Sequence, residues 1–380
     1  MTSEVSKHPI DFSIVIPTWN RSALVDALLE SLKTARDAYT YGRSEVLIVD
    51  SSTGSEQAAI QDSCRRYDAS YLQGPDSVRK KRNMGIEHAA FDYIFFLDSD
   101  VRVDEQIMNH HAETYLSASP EERLGGTFGV TEFVGPENLV WKIVQYTTFT
   151  DSFSFARWFP YQKWTLGNNV TFLRQVLLDI NMFEEAFPFK LGGDDLDLSY
   201  RVNKAGYQIK SVPDAVTWHA KETWSHFKAI NDRSRRWGSM EYYLSRRHPE
   251  IFIHGGVKAE WFLAAELALF TLGAAAARQP RLLKAGLFTA GLTCASIYRL
   301  DTRESDKKNP ALYFAGKYFH ARYAWFHALE GLKHHTMDGF YKTMSFSNEQ
   351  TKHMLLRESR KMWLMAGSLV LGSTAAFLSD

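Results

Sequence analysis

Short apolar runs alternate with segments of helical periodicity over the first hundred residues of this chain. Phe12–Ile16, Glu45–Val49 and Tyr93–Leu97 are continuous apolar runs rich in β-branched or aromatic residues, which is typical of strands buried on both faces. Ser22–Ala35 carries apolar residues at the spacing of one helix face. Alternation of such strands and helices favours a parallel sheet covered by helices. The pattern therefore predicts a Rossmann-like α/β sheet over residues 10–105.

The same periodicities predict further elements and divide the chain into four regions. They predict a short strand at Tyr71–Leu72 and helices at Ser55–Tyr67, Val78–Ala90, Leu173–Ile180 and Asp195–Ala205. Gly206 follows the last of these helices, at the position where a left-handed residue commonly ends a helix. The predicted regions are a tail over residues 1–10, one half-domain over 11–105, a second half-domain over 106–250 and a helical region over 251–380.

Polar residues stand where the predicted strands end, namely Thr18, Asp50 and Asp98. Because open α/β sheets bind ligands at the carboxyl ends of their strands, we expect these side chains to line one site. Asp98 and Asp100 are two residues apart, so both carboxylates face the same side of an extended segment. Two such carboxylates can hold a hard divalent ion, which in turn can hold a diphosphate. The alternative interpretation is a solvated turn after a buried strand.

The last third of the chain contains three uncharged stretches, Leu267–Ala277, Ala285–Tyr298 and Met362–Leu378. Each is shorter than the roughly 20 apolar residues that a membrane span normally requires. Trp261 and Trp363 stand where interfacial anchors are expected. The pattern favours membrane-spanning or re-entrant helices, and a helical C-terminal domain that avoids the membrane remains the alternative.

Composition narrows the class of protein further. The 44 basic and 44 acidic side chains balance, so no global positive field favours nucleic acid as a partner. The two cysteines, Cys64 and Cys294, permit neither a disulfide framework nor a zinc motif, which fits a reducing compartment. Met1–Asp11 is polar and mixed in charge, and it predicts neither a signal peptide nor a membrane anchor. These features favour a cytoplasmic protein.

Four sequence motifs together resemble family-2 glycosyltransferases of the GT-A fold, over about residues 11–240. The motifs are the opening segment Ile14–Arg21, the Arg-Asn-x-Gly element within Lys81–Gly85, the Asp-X-Asp pattern Asp98–Asp100 and the acidic helix start Gly192–Arg201. Their order and spacing, rather than any single motif, carry the resemblance. The fold that it implies is an α/β GT-A fold, with a nucleotide-sugar-binding half, an acceptor-binding half and a helical C-terminal extension.

The resemblance implies a donor site with a divalent metal ion, Mn²⁺ or Mg²⁺. For the nucleotide it implies Asp50 at the nucleobase, Thr18 and Arg21 beside the base and ribose, and Arg82 at the diphosphate. For the metal ion it implies Asp100 as a direct ligand and His219 as a third ligand, with Asp98 at the ribose or at a water bound to the metal. The corresponding Asp often contacts uracil in this family, so a UDP-sugar is favoured. The alternatives are a helix or turn cap for Asp50 and a strand-end turn for Thr18 and Arg21. For the basic helix that carries Arg82 the alternative is a solvated face, and for His219 it is a structural or surface-exposed histidine.

The resemblance also implies an acceptor site. Asp195 corresponds to the general base, and Asp194 replaces the Glu that usually precedes it and would contact the acceptor. Trp164, Asn168, Asn169, Arg236 and Trp237 are further candidates for acceptor contact. Helix capping is the alternative for one of the two aspartates, and loop packing is the alternative for Trp164, Asn168 and Asn169. For Arg236 and Trp237 the alternative is a position on a basic amphipathic helix.

The implied function is metal-dependent, inverting transfer of a sugar from a nucleotide-sugar donor to a hydroxyl acceptor. We expect a lipid-linked or envelope glycan as acceptor and a location at the cytoplasmic face of the membrane, with contact through the C-terminal region. A peptide or protein acceptor is one alternative. A non-catalytic sugar-nucleotide-binding protein is another, although Asp50, Asp98, Asp100 and Asp195 are all present.

Overall fold

The computed structural model describes residues 9–186, 192–254, 258–302 and 308–345, and in the C-terminal stretch residues 359–361, 363–367 and 370. The chain forms two compact units. The first comprises Met1–Asn138 and Thr148–Ser225, and the second comprises Leu139–Thr147 and His226–Asp380. The predicted boundaries of the four regions stay a prediction, and most of the predicted tail lies outside the described residues.

The secondary structure contains ten strands and twelve α-helices among the described residues. The strands are β1 (Phe12–Thr18), β2 (Ser44–Asp50), β3 (Ser70–Gln73), β4 (Tyr93–Leu97), β5 (Val101–Val103), β6 (Leu124–Val134), β7 (Asn169–Leu173), β8 (Gln208–Ala220), β9 (Phe252–His254) and β10 (Lys342–Met344). The helices are α1 (Ser22–Asp37), α2 (Gly54–Arg66), α3 (Val78–His88), α4 (Ile107–Ser117), α5 (Leu139–Val144), α6 (Phe155–Trp158), α7 (Arg174–Asp179), α8 (Asp194–Lys204), α9 (Phe227–Arg247), α10 (Ala259–Ala277), α11 (Pro280–Asp301) and α12 (Pro310–Lys333).

An eight-stranded sheet forms the centre of the first unit, in the order β3-β2-β1-β4-β7-β6-β8-β5. The four strands β3, β2, β1 and β4 are parallel, as the alternating pattern predicts. Beyond β4 the sheet is mixed, because β7 runs antiparallel to both β4 and β6 whereas β8 runs parallel to β6. The predicted α/β fold class is thus confirmed.

Helix α3 packs unusually close to the sheet. A side chain on Gly85 would place its Cβ 2.3 Å from the Val15 Cγ1 atom in β1, so only glycine permits this approach. The close packing buries three of the four cations of α3, Arg79, Lys81 and Arg82. The alternative of a solvated basic helix face therefore applies to Lys80, whose side chain is half exposed.

Three local expectations are refined by the structure. Helix α7 ends at Asp179 and α8 at Lys204, each within two residues of the predicted end. Gly206 adopts φ 85°, which confirms a left-handed residue after α8. His219 lies inside β8, because β8 continues to Ala220 while it pairs with β5 and β6.

The second unit is mostly helical. Helices α9 and α12 pack side by side, α10 and α11 form a hairpin, and β9 and β10 pair antiparallel. Among the described residues, α10 is the one helix that is long and apolar enough to cross a membrane. The predicted stretch Met362–Leu378 lies largely outside the described residues. A helical C-terminal region is confirmed, and its relation to a membrane stays a prediction.

Candidate active site

The ends of neighbouring parallel strands form one edge of the sheet in the first unit. Thr18 ends β1 beside Asp50 at the end of β2, and the two residues are direct register partners. Asp98 follows β4, which pairs with β1 on the other side. The ammonium group of Lys81 donates to the carbonyl oxygen of Thr18 at the same edge. The polar residues predicted to share an edge therefore do so.

Asp50 is fully buried and its carboxylate accepts hydrogen bonds inside the fold. One oxygen accepts from the Ser52 amide at 2.9 Å and the Ser52 hydroxyl at 2.6 Å. The other oxygen accepts from the Tyr71 hydroxyl at 3.0 Å. Burial and the nearby Asp50 charge raise the pKa of Tyr71 to about 12, so this phenol stays a donor. The turn-capping role of Asp50 is present in the structure, and contact with a nucleobase stays a prediction.

Asp100 and His219 face each other because the chain changes direction between them. β5 begins at Val101, directly after Asp100, and Val101 pairs with His219 in β8. The distance from His219 Nε2 to Asp100 Oδ1 is 3.4 Å. The other oxygen of Asp100 accepts from Arg21 Nη1 at 2.8 Å. The pairing of β5 with β8 thus brings into contact two residues that are more than a hundred positions apart in the sequence.

The hydrogen bonding of His219 bears on whether this group suits a metal ion. Its Nδ1 lies 3.1 Å from the carbonyl oxygen of Ala220, which can only accept, so Nδ1 carries a proton. In the neutral imidazole Nε2 then presents a lone pair toward the Asp100 carboxylate. Two acceptors that face one another need a cation or a proton between them. An imidazole held by a backbone carbonyl in this way is typical of metal ligands.

Aromatic rings fix the orientation of His219. The rings of Phe133, Phe153 and Trp224 lie 5.4, 6.3 and 6.4 Å from the imidazole, centroid to centroid. Within the part of the chain that the structure describes, no group of three or more His, Cys, Asp or Glu residues is arranged to hold a metal ion. The carboxylate of Asp100 fits Mn²⁺ or Mg²⁺ in chemical type, the imidazole of His219 favours the transition metal Mn²⁺ over Mg²⁺, and Asp98 is turned to a different partner.

Arg82 is the partner of Asp98, and it joins three segments of the first unit. Its Nη2 donates to Asp98 Oδ1 at 3.0 Å and to the Gly167 carbonyl at 3.3 Å, and its Nη1 donates to Asp194 Oδ2 at 3.0 Å. Gly167 permits this contact, since a Cβ there would lie 2.5 Å from Nη2. Arg82 therefore ties the Asp-X-Asp motif to the start of α8. Sequence reasoning places Arg82 at the diphosphate and misses this bridge, whose partners lie far apart along the chain.

The start of α8 is a turn of two left-handed glycines followed by carboxylates. Gly192 and Gly193 have φ of 105° and 81°, a conformation that other residues rarely adopt. Asp194 and Asp195 then begin the helix, where the helix dipole favours negative charge. Asp195 accepts a hydrogen bond from the Gly167 amide at 3.0 Å. The same glycine thus contacts both Arg82 and the predicted general base.

Asp195 is electrostatically distinct from an ordinary aspartate. Burial and the adjacent Asp194 raise its pKa to about 7, with Asp98 adding to the shift, while Arg82 and the Gly167 amide oppose it. The pKa of Asp98 is also raised, by burial and by Asp100, against the opposing charge of Arg82. A carboxyl group with a pKa near neutrality is suited to accept and release a proton at working pH.

The predicted acceptor residues of the first unit divide by environment. Trp164 is buried and its ring packs 5.6 Å from that of Phe155. Asn168 is buried, and its amide nitrogen donates to the Thr131 hydroxyl at 2.8 Å. Among the described residues, the side-chain oxygen of Asn168 has no hydrogen-bond partner. Trp164 thus has the loop-packing environment of the structural alternative, and contact of Asn168 with an acceptor stays a prediction.

Asn169 lies within the sheet and not on an accessible surface. Its amide nitrogen donates to the carbonyl oxygens of Val130 and Ala215, both at 2.9 Å. Its oxygen faces His111 Nε2 at 3.1 Å, and burial lowers the pKa of that histidine to about 4, so the imidazole is neutral. Asn169 is fully buried, which corrects the expected acceptor contact to a structural role that joins β6, β7 and β8.

We expect Asn169→Ala to lower the free energy of unfolding by about 3 kcal/mol or more, because it removes the Asn169 hydrogen bonds to two buried carbonyl groups and to a buried imidazole. Urea titration of the folded protein measures the change. Asn168→Ala is the matched control, since it removes one hydrogen bond from the adjacent residue. Equal destabilisation by the two variants would contradict the structural role of Asn169.

Arg236 and Trp237 lie on α9, in the second unit. The Nε of Arg236 donates to the Asp232 carbonyl oxygen at 3.4 Å, and Trp237 is half-buried. Their contact with an acceptor stays a prediction.

Comparison with known proteins gives a family match for the first two thirds of the chain. The family model described as "Glycosyltransferase like family 2" matches residues 8–239, more than half of the chain. The chondroitin synthase of Pasteurella multocida (strain Pm70) is 24% identical over 246 residues, which cover 55% of this chain and 25% of the relative. The validoxylamine A glucosyltransferase of Streptomyces hygroscopicus subsp. jinggangensis (strain 5008) is 26% identical over 270 residues, which cover 63% of this chain and 61% of the relative.

The chain thus spans a quarter of the length of that chondroitin synthase and 34% of the chondroitin synthase of Escherichia coli. A solved structure of a mannosyltransferase from Pyrobaculum calidifontis, in complex with GDP-Man and Mn²⁺, aligns with a TM-score of 0.47 and 15% identity. That alignment covers 93% of this chain and 87% of the mannosyltransferase.

Proposed function

The chain belongs to glycosyltransferase family 2, and on that premise we propose that it transfers a sugar from a nucleotide-sugar donor to a hydroxyl group of an acceptor glycan. The observation that carries the proposal is the Arg82 bridge. One buried guanidinium contacts both Asp98 of the predicted donor site and Asp194 beside the predicted base Asp195. Arg82 therefore connects the predicted donor site to the start of the helix that carries the predicted base, within the first unit.

On the donor side, Thr18, Arg21 and Asp50 lie at the sheet edge where the nucleotide is expected. We propose that Asp50 and its partner Tyr71 face the nucleobase, with a UDP-sugar as the favoured donor. Arg21 reaches Asp100 at 2.8 Å, so its guanidinium is close enough to the metal motif to contact a phosphate there. Lys81 supplies a second cation at this edge, and its side chain is buried.

For the metal, we propose that Asp100 and His219 hold Mn²⁺ or Mg²⁺. Their facing acceptor atoms, 3.4 Å apart, support this assignment. Such an ion supplies Lewis-acid stabilisation of the diphosphate that leaves. Asp98, which is bonded to Arg82, would contact the ribose or a water bound to the metal ion.

On the acceptor side, we propose that Asp195 removes the proton from the attacking hydroxyl group, which makes the reaction a single, inverting displacement. The raised pKa of Asp195 supports this role. Asp194 is held by Arg82 at 3.0 Å, so we assign it to positioning rather than to direct acceptor contact. The acceptor is a glycan, lipid-linked or part of the cell envelope, and the enzyme works at the cytoplasmic face of the membrane.

Thermal stabilisation by a panel of nucleotide sugars, with and without Mn²⁺, tests the proposal. A ligand at 100 times its dissociation constant adds about 2.7 kcal/mol of stability, which gives a clear shift of the melting temperature. We expect a metal-dependent shift with UDP-sugars, and its loss in the variant Asp100→Asn. Asp104→Asn is the control, since it changes the same type of residue four positions away.

Two outcomes would contradict the proposal at different points. A shift that is equal with and without metal, in both wild type and Asp100→Asn, would overturn the metal assignment and leave the donor site standing. The absence of a shift with any nucleotide sugar, in folded protein, would overturn the donor site itself.

A further inference from the structure

The hairpin of α10 and α11 buries small and polar side chains and exposes large apolar ones, the reverse of a helix pair in a water-soluble protein. On α10 the buried residues are the charged Glu266 and Phe270, and the buried residues of α11 include Gly286, Thr289 and Thr293. The exposed residues of the pair include large apolar side chains, namely Leu267, Leu269, Leu272, Leu283, Leu287 and Phe288. In water, the large apolar side chains belong in the seam and the polar ones outside.

The seam between the two helices is built from small and polar groups. A Cβ on Gly286 would lie 2.4 Å from the Phe270 Cβ, so the helices approach closely at that point. The Thr293 hydroxyl donates to a Glu266 carboxylate oxygen at 3.4 Å across the seam. Close approach at small residues and hydrogen bonds between helices are the interactions that hold helices together in lipid, where apolar surface gives no attraction between them.

The outer surface of the hairpin is a continuous uncharged band. No charged residue occurs between Glu266 and Arg278 on α10, or between Lys284 and Arg299 on α11. Leu269, Leu272 and Leu287 are 61%, 69% and 61% exposed. Among the described elements, α10 and α11 pack mainly against each other, so neither helix is a core element of the second unit.

The two ends of the hairpin carry the groups that suit a lipid interface. Arg278, Arg281 and Lys284 lie at or next to the turn that joins the helices. At the opposite end, Trp261 packs against Trp325 with ring centroids 5.7 Å apart, and Tyr298 packs against Tyr313 at 5.0 Å. Cations attract the phosphate groups of anionic lipids, and Trp and Tyr concentrate at the boundary between water and hydrocarbon.

We propose that this hairpin embeds its uncharged band in the surface of an anionic lipid bilayer, with the three cations of the turn at the lipid phosphate groups. Carrying those cations across the hydrocarbon layer would be costly, so the hairpin lies in the plane of one leaflet and does not cross the bilayer. The inference deepens the proposed membrane location and rests on it. It is independent of sugar transfer, so either proposal can fail alone.

Flotation of the full-length protein with vesicles tests the inference. The probes are vesicles of phosphatidylcholine alone and vesicles that also contain about 30% of the anionic lipid phosphatidylglycerol. We expect the protein to float with the anionic vesicles. The double variant Leu269→Asp, Leu287→Asp should bind at least about a hundred-fold more weakly, because it removes the apolar area of two leucines from the contact. The double variant Arg278→Gln, Arg281→Gln should lose about thirty-fold on anionic vesicles only.

Leu139→Asp is the matched control, because Leu139 is 66% exposed but lies on α5, away from the hairpin in sequence. The variants replace exposed side chains, apart from the half-buried Arg281, so circular dichroism should show wild-type folding. Wild type that stays unbound, or equal flotation of the hairpin and control variants, would overturn the inference. So would a lipid-free dimer that Leu269→Asp, Leu287→Asp dissociates, since the band would then be an interface between copies of the chain.

Discussion

Asp195→Asn is expected to lower the rate of sugar transfer by about 10²- to 10⁴-fold while the protein stays folded. The loss follows from the removal of the group proposed to accept the hydroxyl proton, and general-base catalysis typically contributes a factor of this size. Asparagine has the same shape and keeps one oxygen, which can accept from one of the two amides that Asp195 binds, those of Gly167 and Leu196. Steady-state transfer with a saturating donor measures the change.

The stability of this variant separates a catalytic loss from unfolding. The pKa of Asp195 is raised from its ordinary value of 3.8 to about 7 in the folded protein. A raised carboxyl pKa means that the ionised form opposes folding, by an amount that grows from about pH 4 and is complete above about pH 7. Asparagine removes this penalty. We therefore expect the melting temperature of Asp195→Asn at pH 8 to equal or exceed that of wild type.

The pH profile of wild type offers a second check on the same residue. A general base acts as the carboxylate, so the rate should rise about tenfold per pH unit below pH 7 and level off above it. The charged groups around Asp195 are Asp194, Asp98 and Arg82. Asp197→Asn is the control, because Asp197 pairs with Arg201 on the same helix at 2.8 Å. A wild-type rate in Asp195→Asn would overturn the base assignment.

The parallel half of the sheet could be predicted from sequence because the relevant signals are local. Continuous apolar runs predict β1, β2 and β4, and helical spacing predicts α1, each within a few residues of the observed ends. The polar residues at those strand ends share an edge because parallel strands end on the same side of a sheet. Local pattern and simple topology together suffice for this part of the molecule.

The second half of the site depends on contacts that the sequence does not display. Asn169 and Asn168 are adjacent and chemically identical, yet one is enclosed by three strands and the other keeps a free buried oxygen. Asn168 lies in the turn before β7 and Asn169 is the first residue of β7, so only the pairing of β7 with its neighbouring strands encloses the Asn169 side chain. The Arg82 bridge likewise depends on Gly167, whose missing side chain makes room for the guanidinium.

Arg82→Met is expected to cost about 3 to 5 kcal/mol of unfolding free energy and at least a hundred-fold in transfer rate. Methionine fills a similar volume but leaves the buried Asp194 and the partly buried Asp98 without their cation. Removing one partner of a buried ion pair is costly because the remaining charge stays out of water. The rate falls because Asp195 also loses a positive neighbour that lowers its pKa, so less of it is ionised at neutral pH.

A second substitution distinguishes this electrostatic account from a simple packing defect. Asp194→Asn in the Arg82→Met background removes one of the stranded charges, so we expect it to restore part of the lost stability, whereas the same change in wild type should be destabilising. Lys80→Met is the control on α3, since that side chain is half exposed and its acidic partner lies 3.7 Å away. Urea titration of wild type, Arg82→Met, Asp194→Asn and the double variant gives the coupling energy between the two residues directly. If the two changes prove additive, Arg82 does not hold Asp194 through charge, and the common anchor between donor site and catalytic helix must be sought in the Gly167 loop instead.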